Sequence, residues 1–121
     1  MRRRSARYKT LKVTGKKNIS VYRARLRDEE TGKITKSTGR RHFCKKCGSA
    51  LWLWDPGWPE LVHPFASAID TDLPVPSERT HMMLASNANW VPVYIGPRDK
   101  KFDEYPEESI AEWHQRLGLE C

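Results

Sequence analysis

With 121 residues and a mass of 14.1 kDa, the chain has room for one small domain with a single core. Only 38% of its residues are hydrophobic and its mean hydropathy is −0.75, and no apolar run approaches the roughly 20 residues of a membrane helix. The net charge of +7 is divided unevenly: residues 1–48 hold 17 Lys and Arg against 3 Asp and Glu (+14), and residues 49–121 hold 5 against 12 (−7).

Met1-Arg2-Arg3-Arg4 is followed by no apolar stretch, so it opens no secretory leader, and a cytoplasmic location is expected. Residues 1–18 form a basic, nearly core-free start. Ile19 to Leu26 alternates apolar positions with Ser20, Arg23 and Arg25, the period-2 pattern of a strand with a cationic open face. Asp28-Glu29-Glu30-Thr31-Gly32 then reads as a turn, and Lys33 to Thr38 as its returning strand. Leu51 to Trp54 is a further short strand, stopped by Asp55-Pro56-Gly57. Leu61 to Ile69 is another, confined to an edge or bend at Pro64. Asp70 to Ser77 is a Pro-containing loop, His81 to Leu84 a short strand, and Trp90 to Ile95 an extended piece bent at Pro92. Residues 106–118 carry the one helix signal: acidic residues after Pro106, apolar Ile110, Trp113 and Leu117 on one face, and a closing Gly118.

The chemistry-bearing motif is Phe43-Cys44-Lys45-Lys46-Cys47-Gly48. Two intervening residues let both sulfurs face one point, the Gly relieves the turn, and Lys45 and Lys46 favour thiolates. Cys44 and Cys47 therefore read as one knuckle of a structural zinc site. A redox pair and two incidental surface cysteines are the competing readings, the first disfavoured because no helix signal follows the pair. A closed zinc site takes four ligands, and the rest of the sequence does not complete it. His42 is badly placed, His63 and His81 read equally as half-buried histidines, and Cys121 is the last residue. Trp52, Trp54, Trp58 and Trp90 read as packing rather than as a ligand platform. Asp70 and Asp72 read as solvated loop carboxylates rather than an acid–base pair.

The run Arg41-His42-Phe43-Cys44-Lys45-Lys46-Cys47-Gly48-Ser49-Ala50-Leu51 resembles the C-terminal zinc knuckle, R-x-F-C-x-x-C-G-x-x-L, of the glutathione-dependent formaldehyde-activating enzyme family, which also includes a centromere-associated member. The similarity continues in order through Ala68-Ile69-Asp70, Glu78-Arg79-Thr80-His81-Met82, Asn89-Trp90-Val91 and Phe102-Asp103-Glu104-Tyr105-Pro106. The resemblance implies a mainly β, tent-like fold of short antiparallel strands pinned by zinc, with one C-terminal helix. It also implies a carbon–sulfur lyase activity joining glutathione and formaldehyde to S-hydroxymethylglutathione. In the family a CxC completes the structural zinc site and a C-x-C-x-x-C segment holds a catalytic zinc. No cysteine precedes Cys44 here, so residues 1–121 are expected to be a single, N-terminally shortened domain of this type that binds zinc without turnover.

Two further expectations follow. The +14 half could serve a non-enzymatic module that grips nucleic acid or another polyanion. A homodimer could bring two copies of Cys44 and Cys47 to one zinc.

Overall fold

A computed structural model describes residues 8–119, so the Arg2–Arg4 start and Cys121 lie outside the described residues. The chain divides into two compact units, one running to Thr71 and the other from Asp72.

The first unit is built from antiparallel strands: β1 (Ile19–Tyr22), β2 (Arg25–Arg27), β3 (Ile34–Lys36), β4 (Arg40–Cys44), β5 (Ala50–Trp54) and β6 (His63–Pro64). Four of them form one sheet in the order β1-β4-β5-β6, and β2 with β3 forms a separate hairpin. The alternating stretch Ile19 to Leu26 is thus broken rather than continuous. The break has a local cause at Arg23-Ala24, where Ser37 N donates to Ala24 O (2.8 Å) and Arg23 Nε donates to Ser37 O (2.8 Å). The chain is stapled there to the end of β3, so β1 pairs with β4 while β2 pairs with β3.

The 28–32 turn forms as its composition predicts. Asp28 Oδ1 accepts from the N–H groups of Glu30 and Thr31, and Gly32 N donates to Asp28 O. Leu61 to Ile69 yields only the two-residue β6, since Pro64 has no N–H to extend the ladder, and then a 3-10 turn over Ala66–Ala68. Register places Ile19, Val21, His42, Trp52 and Pro64 on one face, and Tyr22, Arg41, Leu53 and His63 on the other. A bulge between His42 and Phe43 shifts the β4–β5 register just before the cysteine knuckle. Among the described residues Val62, 2% exposed, is the one buried apolar side chain.

The second unit holds β7 (Thr80–His81), β8 (Lys100–Lys101) and the helix α1 (Ile110–Arg116). β7 and β8 pair in parallel, Thr80 opposite Lys100 and His81 opposite Lys101, unlike the antiparallel strands of the first unit. His81 to Leu84 does not continue as a strand. Met83 takes a left-handed φ of 57° and leads into a 3-10 turn over Leu84–Ser86. Helix α1 is shorter than the 106–118 span, because Ser109 forms a capping box with Glu112 and so fixes the start. Arg116 then anchors the last turn, donating to both carboxylate oxygens of the buried Glu78 (3.0 and 2.6 Å) and to Glu108. No helix among the described residues is long and apolar enough to cross a membrane.

Candidate metal centre

The strand β4 ends on Cys44 and β5 begins at Ala50, so the motif occupies the connection between two central strands of the sheet. Gly48 N donates to Cys44 O (2.7 Å) and Cys44 N donates to Ser49 O (2.9 Å), closing a tight turn. Gly48 adopts a φ of 77°, where a side chain is strained even though a Cβ would meet nothing within 4 Å. The requirement is therefore one of backbone conformation and not of space. Lys45 N donates to Asn18 O (2.9 Å), which moors the turn to the residue before β1.

Both cysteines are free thiols, Cys44 half-buried and Cys47 exposed. The Cys47 sulfur lies 3.2 Å from Ser49 Oγ. The Ser49 hydroxyl lowers the Cys47 thiol below its ordinary pKa, helped by the Ser49 backbone N–H and the neighbouring Cys44 thiol. The two sulfurs thus share one side of the turn, and the exposed one is biased toward thiolate, the form that binds a soft metal.

The histidines are engaged elsewhere. His42 stacks on Trp52 with ring centroids 4.7 Å apart, and its Nδ1 lies 3.1 Å from Arg40 O. His63 sits opposite Leu53 in β6. In the second unit, His81 Nε2 lies 3.0 Å from Asp99 Oδ2, an arrangement the sequence did not reveal because 18 residues and no motif separate the two. Among the described residues, no three His, Cys, Asp or Glu side chains gather where a metal ion could be held. Cys44 and Cys47 therefore fit half of a tetrahedral zinc site, and these residues alone do not close it.

The comparisons with known proteins bear on this knuckle. No protein-family profile matches the chain, and no solved structure gives a significant match. A Halomonas elongata protein named "Putative glutathione-dependent formaldehyde-activating enzyme" is 56% identical over 111 residues, covering 92% of this chain and 67% of that protein. The chain belongs to the glutathione-dependent formaldehyde-activating enzyme family.

For a member of that family, the fold is as the sequence implies: mainly β, with short antiparallel strands and one C-terminal helix. The tryptophans divide between two settings. Trp52 and Trp54 are half-buried in β5, with Trp54 Nε1 donating to Pro59 O (3.1 Å), whereas Trp58 and Trp90 are exposed. Asp70 and Asp72 are exposed loop residues. Sequence reasoning missed Ser49 as the modulator of Cys47. A hydroxyl two residues after the second cysteine was a readable signal, since a turn ending at Gly48 returns the chain past that sulfur.

Proposed function

We propose that this member of the formaldehyde-activating enzyme family holds a structural zinc through Cys44 and Cys47, and that it does not by itself turn over glutathione and formaldehyde. The supporting observation is the turn that gathers both sulfurs and lowers the Cys47 thiol through Ser49. Zinc bound there would pin the turn that joins β4 to β5, with the chain's two thiolates occupying two of its four positions. The remaining donors come from outside the described residues, and a second copy presenting the same pair is one way to provide them. A carbon–sulfur lyase centre needs an open metal position held by three protein ligands. The sequence has one cysteine besides this pair, Cys121, and so offers no C-x-C-x-x-C set. The substrate class that goes with the family name is a small thiol with an aldehyde, glutathione and formaldehyde.

Metal analysis of the purified chain tests this reading. Bound zinc that disappears in Cys47→Ser supports it, and a ratio of half a zinc per chain in a dimer identifies the second copy as the source of the other ligands. A folded chain free of zinc overturns it. Glutathione–formaldehyde condensation above the uncatalysed rate overturns the expected lack of turnover.

A further inference from the structure

The first unit carries a second feature with no role in metal binding. Between the end of β1 and the hairpin β2–β3 lies a groove of about 570 Å³ lined by Val21, Tyr22, Arg23, Arg25 and Lys36. Arg25 and Lys36 are directly opposite each other in the β2–β3 register, a like-charge pair that destabilises a hairpin unless an anion bridges it. Arg23 is fixed in place, its Nε held by Ser37 O, and among the described residues its other guanidinium nitrogens make no hydrogen bond. Among the described residues every salt bridge lies in the second unit, so these three cations have no carboxylate partner. The stripe extends along β2 to Arg27, on the same face as Arg25 and roughly 6.6 Å further on at strand spacing. Arg41 stands across from Tyr22 in the β1–β4 register.

Tyr22 decides between kinds of anion. It is 54% exposed, lines the groove among the cations, and is joined there by Val21 at 51%. A phenol ring left open to water beside three unneutralised cations offers a flat apolar surface and a phosphate clamp together. A sulfated or carboxylated polymer uses only the second of these. We propose that this groove binds single-stranded nucleic acid, with Arg23, Arg25 and Lys36 on successive phosphates and a base stacked on Tyr22. The site is independent of the zinc reading, since none of its residues lies in the 44–49 turn.

Fluorescence anisotropy of the full chain with labelled oligothymidylate and oligouridylate, titrated with KCl, tests the proposal. Three phosphate contacts give a slope of log K against log[salt] of about −2. Arg25→Gln with Lys36→Gln should flatten that slope to about −0.7. Tyr22→Leu should weaken binding about 5- to 160-fold at unchanged slope, the loss of one stacked base. All the substituted side chains are exposed, and unchanged thermal melts and zinc content of the variants show that fold and metal are intact. A heparin fragment serves as the base-free polyanion, and should bind more weakly and be indifferent to Tyr22→Leu. The proposal is overturned by absence of oligonucleotide binding, by salt-independent binding, or by oligonucleotide affinity that ignores Tyr22→Leu. Heparin binding as tight as the oligonucleotide's would equally overturn it, leaving a general polyanion surface.

Discussion

Ser49 places its hydroxyl 3.2 Å from the Cys47 sulfur, and this contact leads the causes that depress the thiol. Ser49→Ala should therefore raise the Cys47 pKa and slow its alkylation by iodoacetamide near neutral pH, with the midpoint of the rate–pH profile moved upward. Asp99 is the other side chain whose neighbours set its charge. Its Oδ1 accepts from Arg79 N (2.9 Å), and its Oδ2 accepts from Gly96 N (2.9 Å) and faces His81 Nε2. The His81 hydrogen bond leads in pulling its pKa down to about 2, followed by the two backbone N–H groups. The unfolded value is about 3.9, so the stabilisation is complete above about pH 4 and is lost as the pH falls through about 2. Asp99→Asn should lower the urea midpoint at pH 7 and give a flatter decline between pH 5 and pH 2 than the parent shows. The Cys44–Cys47 pair was legible in the sequence because its spacing alone defines it. The Asp99–His81 contact was not, because it depends on a parallel pairing across 18 residues.

At the level of elements, the capping box of α1 is the clearest case of local chemistry setting a boundary. Ser109 Oγ accepts from Glu112 N (3.2 Å), and Ser109 N donates to Glu112 Oε2 (2.6 Å). Ser109→Ala should cost about 1 kcal/mol in chemical denaturation of the second unit and fray the first turn in far-ultraviolet circular dichroism. The apolar spacing of Ile110, Trp113 and Leu117 made the helix readable, while Pro106 suggested too early a start because it stands three residues before the cap. The first-unit strands were readable for the same reason of periodicity, and their partners were not. Alternation over residues 19–26 carries no mark of the staple at Ser37 that divides it between two sheets. The two-residue pairing of β7 with β8 is too short to leave any periodic trace.

For the molecule as a whole, the sequence's charge asymmetry survives in the structure as a division of labour between ion pairs and free cations. The described part of the first unit carries the groove of unpaired Arg and Lys, whereas the second unit uses its acids to hold Arg116 and His81. With Val62 the one buried apolar side chain described, burial alone gives little cooperative stability. A structural zinc site with all four ligands in place is of the order of 10–16 kcal/mol in small peptides, comparable with the whole stability of a domain. Stripping metal with a strong chelator should therefore abolish the cooperative melt of the first unit while the helical signal of α1 persists. Retention of that melt after complete metal removal contradicts the structural role given to Cys44 and Cys47. Within the second unit, Met83, Leu84 and Ala85 donate to the carbonyls of Glu104, Phe102 and Asp103, adding to the Asp99 clasp. Residues 86–98 are consequently a loop tied at its neck, with Trp90 and Tyr94 displayed at 80% and 82% exposure. A neck of this kind makes the backbone amides of Met83, Leu84, Ala85 and Phe102 trade protium for deuterium as a single block, on a clock set by how often the knot slips.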